Sequence, residues 1–422
     1  MPNDRGLSMA SRGQHLVRAD RHFATGAGWA GRLVAPLFAR IVDQLDVRLK
    51  TGGIHAILPD GTRRRVGFHA PGAEAVVHLH SWMALVRLAA SGSVGWYKAW
   101  AAGEWSSPDP VPLFELFMAN ALTLGDTARA KGPGRWINAL AHRLRDNAPR
   151  QARDNVAAHY DLGNDFYAAW LDPGMTYSAG QFAPGDDLEA AQQRKISALL
   201  DRLDLAPGQR LLDIGCGWGA LAIEAARRGV AVVGLTLSSE QKAWADGQVK
   251  RAGFSNLVEI RLDDYRAIDE RFDTIASVEM VEAVGERWWP DYLDCISRNL
   301  KPAGRAALQF ISIDHRLFDR YAASPDFIQT YIFPGGMLID EPRFEALAKE
   351  RGLSWGDRTG FGLDYAETLW QWRQRYDAAV ARGKLADFGE EFHNLWRYYL
   401  MYCEGGFRGR GIDVAQVTLL KT

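Results

Sequence analysis

The sequence predicts an α/β protein in two parts: a doubly wound, mostly parallel sheet with a long helical insertion, preceded by a small α+β domain. Three observations carry this. Beyond about residue 185, short apolar runs alternate with helical segments; a glycine loop, Asp213-Ile-Gly215-Cys216-Gly217-Trp-Gly219, directly follows the first of those runs; and a hairpin-and-helix pattern fills the chain up to residue 128. The 422 residues suffice for two or three packed units, and 47% hydrophobic with 24% charged residues excludes a disordered chain. A net charge of -1 leaves no global field for nucleic acid or an anionic membrane, so such contact requires a local patch. Cys216, Cys295 and Cys403 are odd in number and far apart, which suits neither a disulfide framework nor a CxxC metal site. The polar start MPNDRGLSMASRGQ lacks the apolar core of a secretory signal, and no stretch approaches the roughly 18 apolar residues of a membrane span. The reading is a cytosolic protein. Fifteen tryptophans are many for this length; core packing is their commoner use, large apolar pockets or a lipid interface the other.

In chain order, residues 29–45 repeat apolar side chains at Leu33, Leu37 and Ile41, one stripe of a helix. IHAILPDGTRRRVGF reads as a hairpin turning at Asp60-Gly61, and EAVVHLH as a further strand leading into a helix near 81–90. VPLFELFMANAL closes an α+β domain spanning 1–128. In the linker 129–154 the composition turns basic: from 129 to 153, Arg129, Lys131, Arg135, Arg143, Arg145, Arg150 and Arg153 stand against Asp146, with Trp136, Ile137, Leu140 and Leu144 at helical spacing. This segment admits two readings, a linker helix packed on a neighbour or a basic amphipathic surface for anionic lipid head groups. Residues 155–422 form the main domain. Its strands are RLLDIG, AVVGLTL, LVEIRL, FDTIASV and RAALQFI, with LSWGDRTGFG and VAQVTLLK adding an antiparallel hairpin at the sheet edge. An aromatic-rich helical insertion occupies about 315–405. In it Phe392, Leu395, Trp396, Tyr399, Leu400 and Cys403 share one helical face, which reads as a core stripe or as the lining of an apolar tunnel.

The glycine loop follows a strand and opens a helix, so a ligand can approach its backbone near a helix N-terminus. A dinucleotide fingerprint would require an acidic residue at the end of the second strand. Gly234-Leu235-Thr236 stands there instead. Read as DxGxGxG, the loop matches the first motif of S-adenosylmethionine (SAM) methyltransferases, and the edge hairpin agrees with that Rossmann-like fold. Asp213, Gly215, Cys216 and Gly217 are then cofactor-site candidates. Asp264-Tyr265, just past the third strand, suits adenine with an acceptor and an aromatic face. His78 and His80 alternate onto one strand face, but spacing supplies no further ligand and no metal is expected.

These residues sit within longer motifs: His159-Tyr-Asp-Leu-Gly-Asn-Asp-Phe166, Met175-Thr-Tyr177-Ser178, LDIGCGWG, GLTLSSEQ, Val281-Glu-Ala-Val-Gly285, FIQTYIFPGG and YYLMYCEGGFRGRGID. From about residue 155 onward the chain resembles the cyclopropane-fatty-acyl-phospholipid synthases, which transfer a SAM methyl to a cis double bond of a phospholipid acyl chain. The resemblance implies that Tyr177, Ser178, Gly215, Gly217, Thr236, Leu237, Gln241, Asp264 and Tyr265 line the SAM site. It implies that Glu282 and Tyr365 hold a bicarbonate ion, helped by groups around Ala179, Gln309 and Ile311, and that Cys403 lies near the acyl site. It further implies peripheral contact with the inner membrane surface, an unsaturated phospholipid substrate, no nucleic-acid partner and a homodimer. The chain departs from many bacterial members at Ala179, Ala283 and Gln309, where those carry Cys, His and His. That leaves an alternative product of the same chemistry, a methyl- or methylene-branched acyl lipid.

The residue types suit this chemistry. An alkene is a poor nucleophile, so the sulfonium has to be held in line with it in a site emptied of water. The resulting carbocation can be stabilised by aromatic faces, at about 1 to 2 kcal/mol each, and Trp370, Trp372, Phe392, Trp396, Tyr399 and Tyr402 are available. Ring closure needs a base. Glu282, beyond the fourth strand, serves either directly or through bicarbonate, which the resemblance favours. Cys403 reads as a small buried side chain, since methyl transfer to an alkene needs no covalent enzyme intermediate.

Overall fold

The computed structural model describes residues 12–17, 35–125 and 162–422. The basic segment 129–154 and the start of the 159–166 motif lie outside the described residues. The chain packs as two units, one combining Met1–Leu144 with Asp319–Pro334 and Tyr376–Gly411, the other Arg145–Phe318 with Gly335–Arg375 and Ile412–Thr422. Two stretches of the helical insertion expected within 155–422 thus group with the N-terminal part of the chain.

In the first unit, alternating apolar residues give β1 (Gly53–Ile57), β2 (Arg63–Gly67) and β3 (Glu74–Leu79), extended by β4 (Trp105–Ser106) in the order β2-β1-β3-β4. The β1–β2 hairpin turns where expected: Gly61 takes a φ of 84°, and Leu58 N donates to Thr62 O at 2.8 Å. The helix expected near 81–90 instead runs from Met83 to Ala101, broken at Gly92 (φ 58°), and absorbs the following GWYKAWA. Trp105 anchors the sheet. It is 1% exposed, its ring stacks 4.4 Å from that of Trp96, and its Nε1 donates to Trp96 O at 3.0 Å. Tyr398, in the helix Glu390–Arg408, explains the grouping of the insertion, since Tyr97, Phe114 and Phe327 all lie within 4.8 to 5.2 Å of its ring. In the stripe, Phe392, Leu395, Trp396, Tyr399 and Leu400 are buried and Cys403 is half-buried.

The second unit holds the large sheet: β5 (Arg210–Ile214), β6 (Ala231–Leu235), β7 (Val258–Arg261), β8 (Phe272–Val278), β9 (Leu300–Ile313), β10 (Leu353–Gly360) and β11 (Ile412–Lys421). Their order is β10-β11-β9-β8-β5-β6-β7. The strands from β5 to β9 pair in parallel, and β11 pairs antiparallel with both β9 and β10, which is the expected edge hairpin. Between β5 and β8 the chain reverses its direction of sheet growth, and ligands of open α/β sheets bind outside the strand ends at such a point. The helix Leu188–Asp201 is capped by Asp187, whose carboxylate accepts from Ala190 N at 2.9 Å, a contact worth about 1 kcal/mol. Among the described residues, no helix is long and apolar enough to cross a membrane.

Replacing Trp105 by Ala removes a stacked, hydrogen-bonded core ring. The expected cost is about 3 to 5 kcal/mol of stability, read from chemical denaturation followed by tryptophan fluorescence.

Candidate active site

The cofactor loop is shaped by three left-handed glycines, Gly215 (φ 81°), Gly217 (φ 53°) and Gly219 (φ 90°), the last capping the helix Ala220–Arg227. A Cβ on Gly215 would stand 2.8 Å from Met280 Cγ, whereas one on Gly217 would meet nothing within 4 Å, so the loop backbone there is open to a ligand. The amides of Gly215 and Cys216 donate to Leu235 O at 3.1 and 2.9 Å, tying the loop to β6. The Cys216 side chain packs against Gly234, where a Cβ would lie 3.0 Å from its own, and burial pushes its thiol well up. It is a packing residue.

Past β6, Thr236 Oγ1 donates to Gln241 Oε1 at 2.7 Å, Ser238 caps the helix Ser239–Ala252, and Leu237 is half-buried beside them. Past β7, the two oxygens of Asp264 accept from the guanidinium of Arg266 at 2.9 and 2.7 Å, so the expected adenine acceptor already has a cationic partner. The ring of Tyr265 lies 5.6 Å from that of Tyr292, edge to face, and burial raises its phenol. Asp213, at the end of β5, is buried; desolvation pushes it up to about 7, and its Oδ2 has no hydrogen-bond partner. An orphaned buried acceptor beside an open glycine backbone fits a cationic ligand such as SAM.

The helix Leu188–Asp201 sets the segment that carries Tyr177, Ser178 and Ala179. Lys195 Nζ donates to Ser178 Oγ at 2.7 Å, and Gln192 Nε2 to Ser178 O at 2.7 Å. Lys195 is fully buried and was not singled out by sequence reasoning; desolvation pulls it down to about 8 against the pull of Glu279, Asp172 and Asp213. The ring of Tyr177 is half-buried among Tyr167, Trp170 and Trp372, with centroids 5.3 to 5.6 Å away.

The structure brings Ala179, Gln309, Tyr365, Glu282 and Ile311 together beyond β8, but around a residue the motif reading passed over. Glu279 Oε1 accepts from Ala179 N at 2.9 Å and from Gln309 Nε2 at 2.8 Å, and its Oε2 accepts from Tyr365 OH at 2.8 Å. Glu279 adopts a left-handed backbone (φ 47°) and donates its own N–H to Gln309 O at 2.7 Å. Desolvation raises its carboxyl, opposed by those three donors and by Lys195. Glu282 Oε1 accepts from Ile311 N, while Oε2 is buried without a partner, and burial plus the neighbouring Glu279 push the group up to about 8. The signal for Glu279 was present as a second carboxylate three residues before Glu282, at the same strand end. Of the aromatic candidates, Trp372 is fully buried and Trp370 is 40% exposed. Cys403 belongs to the first unit, on the helix Glu390–Arg408, and burial drives its thiol far up, as suits a packing role.

A parallel sheet ending in a reversed hairpin, with a glycine loop off β5, defines the class of SAM-dependent methyltransferases. A family model described as mycolic acid cyclopropane synthetase matches residues 147–417, and the chain belongs to this family. It is 38% identical over 350 residues to a tuberculostearic acid methyltransferase of Mycobacterium tuberculosis, covering 79% of this chain and 80% of that one. To the cyclopropane-fatty-acyl-phospholipid synthase of Escherichia coli K12 it is 41% identical over 261 residues, 61% of this chain and 65% of that one. Among solved structures, the mycolic acid cyclopropane synthase CmaA1 complexed with SAH and CTAB superposes with a TM-score of 0.60 at 33% identity, covering 64% of this chain and 98% of its own.

Two outcomes are expected. Gly215→Ala forces a Cβ onto Met280 from a left-handed backbone and should weaken SAM binding at least tenfold, about 1.4 kcal/mol, by calorimetry. For Glu282, the folded carboxyl keeps its proton up to about pH 8, while the unfolded one releases it in the ordinary carboxylate range. Its contribution to stability is therefore lost as pH rises through that window. Glu282→Gln, neutral throughout, should lessen the decline of melting temperature between those limits.

Proposed function

We propose that this methyltransferase adds a one-carbon unit from SAM across the cis double bond of an unsaturated phospholipid acyl chain and closes a cyclopropane ring. The observation that carries this reading is the carboxyl pair Glu279 and Glu282 beyond β8, desolvated and braced by Tyr365, one residue from the Met280 that packs on the cofactor loop. Transfer to an oxygen or nitrogen needs no such pair. Transfer to an alkene leaves a cation that has to lose a carbon-bound proton to a base in a dry site.

In this reading SAM supplies an electrophilic methyl. Asp213 and the glycine loop hold its cationic end, Thr236 and Gln241 form the edge beyond β6, and Tyr177 offers an aromatic face to positive charge, worth about 1 to 2 kcal/mol. Bicarbonate does not fit the residues that the resemblance assigns to it: Ala179 N, Gln309 and Tyr365 already donate to Glu279, and Ile311 N to Glu282. No step is routed through that ion. The basic segment 129–154 would meet anionic head groups, giving peripheral contact with the inner leaflet.

A second reading is favoured by the tuberculostearic acid methyltransferase likeness across 79% of the chain. The same cation would shift a hydride and lose a proton to leave a methylene branch, an isomer of the cyclopropane.

The test is incubation of the purified protein with SAM and vesicles of cis-unsaturated phospholipid, followed by mass and proton NMR of the released acyl chains. Gain of one CH2 with upfield ring protons is expected. The same gain with new olefinic protons establishes the methylene branch, and no lipid product rejects both readings. Reversing Arg143, Arg145 and Arg150 to Glu should weaken binding to anionic vesicles at low salt, measured by co-sedimentation.

A further inference from the structure

We propose that Glu279 is the enzyme's own proton acceptor, a carboxylate built into the chain where the family resemblance calls for a bicarbonate ion. The inference rests on the alkene-alkylating reading above and names the base of that site.

Its first support is occupancy. A carboxylate and a bicarbonate share the planar O–C–O edge, and Glu279 places that edge on Ala179 N, Gln309 Nε2 and Tyr365 OH at 2.8 to 2.9 Å. The two remaining groups of the expected anion site, Ile311 N and Glu282, are bonded to each other. None of these four N–H and O–H donors is left over for a second anion, and the Glu279 carboxylate would repel one.

Backbone geometry is the second support. Glu279 stands at φ 47°, a left-handed conformation that L side chains rarely adopt. Glycine would take it freely. Such strain persists where the surroundings hold a functional side chain in place, and here it turns the carboxylate toward Tyr365 while the Glu279 N–H bonds Gln309 O.

The third support is the fixed polarity of Gln309. Gln416 lies opposite it in the β9–β11 register, and Gln416 Nε2 donates to Gln309 Oε1 at 3.0 Å and to Lys195 O at 3.1 Å. Gln416 Oε1 in turn accepts from Arg202 Nε at 3.2 Å. With its oxygen engaged, Gln309 can offer Glu279 only an N–H, the arrangement that a permanent carboxylate requires. Arg202 and Gln416 are positioning residues.

The step balances. The alkene π pair bonds the methyl carbon while the methyl–sulfur pair stays on sulfur, leaving a neutral thioether and a carbocation. A C–H bonding pair of the new methyl then closes the ring, and its proton passes to Glu279, which becomes a neutral carboxylic acid and returns the proton to water as product leaves.

The experiment compares wild type, Glu279→Gly and Glu279→Gln in carbon-dioxide-depleted buffer, with and without added bicarbonate, alongside titration of isotope-labelled bicarbonate into each SAH-bound protein by NMR. The wild type should turn over equally in both buffers and show no saturable bicarbonate binding. Glu279→Gly, free of backbone strain, should lose about 100- to 10,000-fold in kcat, bind bicarbonate and recover rate with it. Glu279→Gln, whose amide fills the space, should lose as much without recovery, and its SAM affinity shows that it is folded. Wild-type turnover that requires bicarbonate, saturable binding of the ion to the wild type, full activity of Glu279→Gln, or a folded Glu279→Gly that neither binds the ion nor regains rate would each overturn the proposal. If the wild type makes no lipid product, the alkylation reading fails by itself, and the binding arm still decides whether Glu279 fills an anion site.

Discussion

The second unit depends on a buried cation among acids. Lys195 is almost fully withdrawn from solvent, and Asp172, Asp213 and Glu279 all pull on it. Its charge acts on these carboxyl groups through a poorly solvated interior, where such attraction is screened less than in water. Because Lys195 is pulled down to about 8 and Asp213 pushed up to about 7, protons are shared across the cluster. Arrival of a sulfonium or ammonium group would change that sharing. The same lysine donates to Ser178, so the charge balance and the placement of the 177–179 segment rest on one side chain.

Around this centre the sheet acts as a rigid jig. β8 delivers Glu279 and Glu282 at its end, β9 contributes Gln309 and the Ile311 amide, and β11 supplies Gln416 behind Gln309. Tyr365 comes from the helix Gly362–Ala381 and reaches the same carboxylate. Groups drawn from separate strands and a helix converge on a carboxyl pair, so the geometry is fixed by sheet register and leaves little to loop conformation.

Much of this was legible in the residues. The strands β5 to β9 announced themselves as short apolar runs, the mostly polar β10 only as one arm of an edge hairpin, and the glycine loop marked the ligand end of β5. The motif reading found Glu282, Gln309, Ile311, Ala179 and Tyr365 as neighbours. It missed their centre because Glu279 acts through a left-handed backbone and three donors from distant chain positions, none of which leaves a periodic trace. Lys195 was hidden for a related reason, since a lysine on an amphipathic helix ordinarily faces water. The Asp264 to Arg266 pairing spans only two residues, yet one-dimensional reading cannot tell whether an acid will turn to its neighbour or to a ligand. The helices of the insertion were visible as amphipathic, but amphipathicity names an apolar face without naming what covers it, and the Tyr398 ring cluster settles that for 319–334 and 376–411.

The placement of β11 has a consequence for biogenesis. Among the strands of this sheet it comes last in the chain, yet it lies between β9 and β10, which are both made before it. Until it slots in, β9 and β10 each carry a bare hydrogen-bonding edge, the kind of surface that pairs with a neighbouring chain. Assembly of the Glu279, Gln309 and Gln416 cluster and protection from aggregation therefore share one late event. Folding yield at high expression should be governed by how quickly that strand finds its slot.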